Sequence, residues 1–498
     1  MTALDVIVTN GRVIDPESGL DGIRHVGIRG GEIVAVSESP LVGEVTVDAS
    51  GLTVAPGFID LHSHTQSIAG DRIQAFDGVT TALELESGIM PIGTWYDSQA
   101  SSGRAINYGA SVAWTFARVA ELNPELGDPD GTLTYFQRAF GHPEWSTHVA
   151  DQPQVDAILA RIEQGLREGG IGVGINNGYA PGAGVQEMAE VCSLAARYGV
   201  PTFTHISYMA NVDPDSSFQG YLRLIAYAAT TGAHMHICHL NSTSLRDIER
   251  CATAIREAQA AGLKITTEAY PYGAGSTLIG AAMFLDPDFR KRTGSDWSDI
   301  VVNATGEAIA SEERLRELQA EDPGNLVVWH YIHPETNEAH QKMLDMSNLY
   351  PGAAIASDAM PWAMPDGSFV DEDVWPIPDE AVAHPRSAGT YARFISQYVN
   401  RLGKITLMEA IEKCSLIPAQ ILEESTPQMK RKGRLQVGKD ADLIVFDANE
   451  VEDKATFQHP TIPSTGMRHV IVNGVRLISN GELDTNALPG KPVRRQVK

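Results

Sequence analysis

The chain has 498 residues, 43% of them apolar, enough to bury a large core and to build more than one structural unit. Its net charge of −25 excludes the basic surface that nucleic acid or an anionic membrane would need in a partner. No apolar run approaches the ~18 residues of a membrane-spanning helix, and no basic start leads into an apolar segment, so neither a span nor a signal peptide is expected.

From the N-terminus, residues 5–14 (DVIVTNGRVI) and 25–36 (HVGIRGGEIVAV) read as short β-branched strands broken by Asn-Gly and Gly-Gly turns. The same texture returns in residues 433–447 (GRLQVGKDADLIVFD) and 469–481 (HVIVNGVRLISNG), so the two ends are expected to join in one small β-domain, residues 1–52 with 426–485. Between them, residues 53–425 alternate. Strand candidates are GFID, VTTALELE, GIGVGIN, VPTFTHIS, AHMHICHL, LKITTEAY and GAAIASD, and helical segments such as 153–168, 184–198, 217–231 and 244–261 separate them. Strand–helix alternation over this length predicts a parallel α/β architecture, and polar residues at most strand ends favour a (β/α)8 barrel over an open sheet. Residues 281–345 are more polar and fit an insertion or lid, and the tail KPVRRQVK reads as solvated. The four cysteines (Cys192, Cys238, Cys251 and Cys414) are scattered without a CxxC pair, as expected of reduced thiols in a cytoplasmic protein.

The strand ends carry the chemistry. The stretch PGFIDLHSH places His62 and His64 two residues apart after an apolar run, and alternate residues on a strand share a face. His205 ends VPTFTHIS, His239 ends HMHICHL and Asp358 ends GAAIASD. At the carboxyl ends of separate barrel strands, four imidazoles and a carboxylate would converge, and these are the ligands that suit zinc and related divalent metals. Any one of them alone reads equally well as a satisfied polar group. His234 and His236 lie further from their strand end and read as structural.

The motifs PGFIDLHSH, DGVTTALE, NNGYAPG, FTHIS, ICHLN, AYPYGAGST, HPRSAGTYARF and GRLQVGKDADLIVFD run in one order over nearly the whole chain. In them the sequence resembles the amidohydrolase superfamily, and within it the D-aminoacylase (N-acyl-D-amino-acid deacylase) family. The resemblance implies a TIM barrel with a composite β-sandwich, and zinc as cofactor, one ion or two. It assigns His62, His64, His205, His239 and Asp358 to the metal and gives Asp358 the proton shuttle. Two solutions used by relatives for the bridging ligand are missing. The first lysine is Lys264, so no carboxylated lysine is available on the early strands, and the first cysteine is Cys192. The second strand ends instead in Glu84 and Glu86; Glu86 is favoured as metal ligand, with Glu84 as the alternative.

By the same resemblance Arg386 matches the residue that holds the substrate carboxylate, and Tyr179, Tyr270 and Ser276 lie in segments used for substrate. Asn241 stands where the family has a basic residue, and the loop between Asp358 and Arg386 is long and acidic; both leave the exact substrate open. The expected function is metal-dependent hydrolysis, through a zinc-activated water, of the linear amide of N-acyl-D-amino acids. The alternatives are a cyclic amidase of the hydantoinase or dihydroorotase kind and a non-catalytic scaffold. The expected partner is a small-molecule substrate, with no nucleic acid and no membrane, and homo-oligomerisation is left open.

Overall fold

The computed structural model describes residues 4–370 and 372–497. Residues 1–3 of the expected terminal domain, Asp371 of the acidic loop and Lys498 of the tail lie outside them.

Eight strands form one wholly parallel sheet: β1 (Phe58–Asp60), β2 (Val79–Ile89), β3 (Asn107–Ala113), β4 (Val173–Asn176), β5 (Pro201–His205), β6 (His234–Ile237), β7 (Ile265–Ala269) and β8 (Ala354–Ile355). They neighbour one another in chain order. A parallel bridge between Ser63 and Ala359, with His64 N–H donating to Ala359 O at 2.8 Å, draws the two edges together just beyond β1 and β8. The expected (β/α)8 barrel is therefore present. Strand β3 is the one that the pattern of the sequence does not announce: NYGASVA carries Asn, Gly, Ala and Ser, which have little β-preference, yet all seven residues are buried. Tertiary packing outweighs local preference there.

Some of the helices between the strands start at polar caps. Gln152–Arg167 begins with a capping box in which Asp151 and Gln154 exchange side-chain-to-backbone hydrogen bonds, and Ser216 caps Ser217–Thr231. The predicted helix 244–261 is shorter, Ile248–Ala260, because Leu245 turns at φ 51°.

Both chain ends build a second sheet of nine strands. Its seam is Thr53–Pro56, which pairs parallel to Leu4–Asp15 on one side and antiparallel to Leu443–Phe446 on the other. Alternation then divides the side chains. Leu443 and Val445 join Val13, Val26 and Ile28 in the core of this sheet, whereas Ile444 and Phe446 pack with Phe58 and Val79 of the barrel. Where an insertion was expected over 281–345, the chain between β7 and β8 builds a small antiparallel sheet of its own. It opens with the strand Gly275–Leu278, which pairs antiparallel with Leu326–Trp329 and so belongs to the excursion, and it has its own core around Phe284, Phe289, Trp297 and Trp329.

The tail is solvated only in part: Lys491, Pro492, Gln496 and Val497 are exposed, but its middle is seated on the barrel. Val493 is 1% exposed, packs with Leu83, Ile171 and Phe203, and donates its N–H to Tyr108 O at 2.7 Å. One apolar residue with a seat against the barrel is enough to hold the segment down. No helix among the described residues is long and apolar enough to cross a membrane.

Candidate metal centre and active site

Polar residues meet at the carboxyl ends of the strands. His62 and His64 follow β1, and their Nε2 atoms lie 3.1 Å apart. Each ring is fixed from behind by a carboxylate on its Nδ1: Glu268 Oε1 of β7 at 2.6 Å from His62, and Glu84 Oε2 at 2.7 Å from His64. Such a carboxylate sets the tautomer, so both Nε2 atoms face one space. Asp358 Oδ1 stands 3.5 Å and 3.6 Å from these two atoms.

A second cluster adjoins the first. Glu86 Oε1 lies 3.1 Å from His205 Nδ1 and 2.7 Å from His239 Nε2. Its other oxygen, Oε2, is 3.4 Å from His62 Nε2 and accepts a hydrogen bond from Asn176 Nδ2 at 3.0 Å. Glu86 thus stands between two groups of candidate ligands, His62–His64–Asp358 and His205–His239, with one oxygen toward each. The pair left open by sequence divides cleanly: Glu86 occupies the centre, and Glu84 supports His64. Glu268 is a participant that sequence reasoning missed. It accepts from His62 and lies 3.1 Å from His236 Nε2, so one carboxylate joins both rings.

Charge tests whether a cation fits. Glu84, Glu86, Glu268 and Asp358 are all buried, and among the described residues Arg386 is the guanidinium paired with them, through Asp358. Burial pushes the Glu86 carboxyl up, but His62, His239 and the hydrogen bond from His205 outweigh it and hold Glu86 well below the usual range. Burial likewise opposes ionisation of Asp358, and Arg386 and His62 prevail and lower it. The His64 ring is desolvated, yet Glu84 and Asp358 drive it up to about 9. The carboxylates thus draw positive charge onto the His62 and His64 rings, whereas burial lowers His205; balancing this excess of carboxylates is a role for divalent cations on the same nitrogen and oxygen donors. The buried His239 Nδ1 has no partner, and both His239 (φ 34°) and Asp358 (φ 52°) hold the left-handed backbone region, a strain that clusters at functional sites.

Beside the cluster lies a narrow chamber of about 80 Å3 lined by Tyr179, Tyr270, Ser276, Leu278, Met283 and Trp329, among others. Tyr270 Oη and Ser276 Oγ are buried without a hydrogen-bond partner. Arg386 is 1% exposed, behind the chamber wall; its guanidinium lies 4.7 Å over the Tyr270 ring, Nη2 is 2.9 Å from Asp358 Oδ1, and its N–H groups lack well-formed hydrogen bonds. A Cβ on Gly275 would come within 3.1 Å of Tyr270 Oη and 3.6 Å of Arg386 Nη1, which marks a small cradle among these groups. Tyr179 differs: its Oη is engaged with Thr277 Oγ1 at 2.8 Å. Asn241 is a brace, donating to Tyr270 O, Tyr272 O and Tyr331 Oη.

A (β/α)8 barrel with a His-x-His after its first strand and further imidazoles and carboxylates at later strand ends defines a metal-dependent hydrolase. The chain belongs to the amidohydrolase family, whose profile matches residues 45–247 and 238–478. It is 26% identical to an N-acyl-D-glutamate deacylase of Alcaligenes xylosoxydans xylosoxydans over 518 aligned positions, covering 99% of this chain and 97% of the relative. It is also 26% identical to a D-aminoacylase of the same organism, covering 94% and 93% of the two chains. The crystal structure of an N-acyl-D-glutamate deacylase from Bordetella bronchiseptica, complexed with zinc and a phosphonate inhibitor, has the same fold, with a TM-score of 0.76 at 20% identity over 99% of this chain and 100% of that one. The resemblance to D-aminoacylases noted in the motifs is borne out by these relatives.

Proposed function

We propose that the protein is a zinc-dependent deacylase of N-acyl-D-amino acids, with His62, His64, Glu86, His205, His239 and Asp358 as metal ligands. The observation that carries this reading is the juxtaposition of two arrangements: an imidazole–carboxylate cluster with excess negative charge, and beside it a buried cradle of the Tyr270 and Ser276 hydroxyls, which lack hydrogen-bond partners, with Arg386, which is paired to Asp358 through Nη2 alone. The first suits a divalent cation with nitrogen and oxygen ligands, and the second suits the α-carboxylate of an amino acid. The D configuration is taken from the relatives.

Bound among these residues, zinc lowers the pKa of water and polarises the amide carbonyl. The chain supplies the rest. Glu268 and Glu84 keep the Nε2 atoms of His62 and His64 turned inward. The Asp358 carboxylate, oriented by Arg386, accepts the proton of the attacking water and returns it to the nitrogen of the leaving amine. Tyr270 Oη, Ser276 Oγ and Arg386 hold the substrate carboxylate and so fix the scissile bond relative to Asp358. Phe136, Met209, Leu278, Met283 and Trp329 line the chamber, and among the described residues no lysine or arginine does. A neutral apolar side chain is therefore favoured over that of D-glutamate or D-aspartate, whose second carboxylate would find no partner.

The test is a panel of N-acetyl-D- and N-acetyl-L-amino acids, with hydantoin and dihydroorotate alongside, assayed with zinc and with chelator. Turnover of the D-series, best for leucine and methionine and abolished by chelator, is expected. Turnover of the cyclic amides without the linear ones would replace this reading by a cyclic amidase. No turnover at all, with no zinc retained, would favour a scaffold.

A further inference from the structure

A second cavity adjoins the same cluster, sharing His64, Leu133 and Phe369 with the first chamber. It measures about 500 Å3, against about 80 Å3 for the chamber that carries the carboxylate cradle. His64 lines both, and it is the one candidate metal ligand that does; Glu84, which fixes the His64 ring, lines the larger cavity. The cavity is bounded by the end of β2 (Glu84, Gly88 and Ile89), the helix Ile92–Ser102, Phe116, residues 130–134 and the loop after β8. Tyr270, Gly275 and Ser276 line only the smaller chamber.

This division matches the connectivity of an N-acyl amino acid. The α-carboxylate and the side chain are both attached to the carbon on the nitrogen side of the scissile bond, so one chamber must receive both. The acyl group departs from the carbonyl carbon in the other direction. With the carbonyl at the metal cluster and the carboxylate held at Tyr270 and Ser276, the acyl group is directed past His64 into the larger cavity. The walls there suit an uncharged, extended chain. Trp95, Phe116 and Trp362 are buried, and Ile89, Leu133 and Phe369 continue the apolar surface. Among the described residues no lysine or arginine lines the cavity, and Asp130 and Glu372 sit on its wall, so an acyl group ending in a carboxylate finds amides and hydroxyls but no cation, and meets like charge.

We infer that this second cavity is the acyl-binding site, and that the enzyme takes uncharged acyl groups much longer than acetyl. The inference rests on the deacylase reading above. Burial of a methylene is worth up to about fourfold in kcat/KM, so even partial burial of six added carbons exceeds tenfold.

The experiment measures kcat/KM of the zinc-loaded protein on N-acetyl-, N-hexanoyl-, N-octanoyl- and N-succinyl-D-leucine, for wild type, Ser98→Trp and Thr94→Trp. Ser98 and Thr94 are exposed, one helical turn apart on Ile92–Ser102, and line only the larger cavity, so either indole narrows it without touching the chemistry. Expected are a rise of at least tenfold from acetyl to octanoyl in wild type, no gain for succinyl, and a loss of at least tenfold on octanoyl in both variants with acetyl changed less than twofold. Turnover indifferent to acyl length, or variants that slow acetyl and octanoyl equally, would overturn the acyl site and leave the deacylase standing. No turnover of any N-acyl-D-leucine would overturn both.

Discussion

Arg386 Nη2 reaches Asp358 Oδ1 at 2.9 Å from behind the chamber wall, and the two charges are buried together beneath the Tyr270 ring. A buried carboxylate is stable only with such a partner, and a guanidinium does not give up its proton to relieve the pair. The contact orients Asp358 toward His62 and His64 and leaves other N–H groups of Arg386 for the cradle at Gly275. One arginine thus serves both the proton-transferring residue and the substrate carboxylate.

The two roles separate in kinetics. Asp358→Asn preserves shape but cannot take up the water's proton, so kcat falls by ~10²-fold or more. Arg386→Ala raises KM for N-acyl amino acids, less so when the α-carboxylate is replaced by an amide, and lowers kcat as well because Asp358 loses its brace. In the double variant the losses are less than multiplicative, since the second change removes a contact already broken. Steady-state constants for the four proteins decide it, and strictly multiplicative effects would mean that Arg386 does not act through Asp358.

Glu86 and Glu84 differ by two residues in sequence and by one layer in space. Glu86→Gln removes charge from the centre of the cluster, so less zinc is retained against a competing chelator and activity falls with it. Glu84→Gln touches only the support of His64 and its neighbouring loop N–H groups, where such partners are worth about 10–100-fold in metal affinity. Metal content by elemental analysis after graded chelation is expected to rank wild type above Glu84→Gln and that above Glu86→Gln. The reverse order would exchange their roles.

These two glutamates also mark how far the sequence could be read. Imidazoles at strand ends are legible because alternation and the end of an apolar run locate them, and the structure brings His62, His64, His205 and His239 together as that pattern implies. Alternation cannot rank Glu84 against Glu86, because β2 bends at Gly88 (φ 68°) and its register shifts in this region. Glu268 carries no spacing partner in ITTEAY, so nothing local distinguishes it from an ordinary strand acid. Arg386 was placed by its motif at the substrate, but a position in chain order does not reveal that Asp358 and Tyr270 stand in front of it.

Gly275 offers a sharper probe of the cradle than the donors around it. Its φ is not positive, so alanine is tolerated by the backbone, and the added Cβ would sit 3.1 Å from Tyr270 Oη, where a carboxylate oxygen belongs in the proposed complex. Gly275→Ala is expected to raise KM for N-acyl-D-amino acids about tenfold or more while bound zinc and thermal midpoint stay near wild type. An unchanged KM would move the carboxylate elsewhere.

Asp77 makes stability depend on pH away from the metal cluster. The helix Arg386–Phe394 breaks at Gly389 (φ −149°, ψ 41°), and the freed N–H groups of Tyr391 and Ala392 donate to Asp77 at 2.7 Å and 2.8 Å, with Ser464 Oγ at 2.9 Å. Asp77 is 3% exposed, and burial pushes its carboxyl up to about 8 despite these three hydrogen bonds. In the unfolded chain it titrates near 4. Between about pH 4 and about pH 8 the folded protein therefore holds a proton that the unfolded chain has released, and stability from this group falls as pH rises, by at most about 1.4 kcal/mol per pH unit. Asp77→Asn mimics the protonated acid at every pH. Urea midpoints at pH 5 and pH 8 are expected to drop further in wild type than in the variant, whatever general repulsion the net charge adds to both. Parallel drops would mean that Asp77 is ionised in the folded protein throughout this range, its charge carried by the three donors alone.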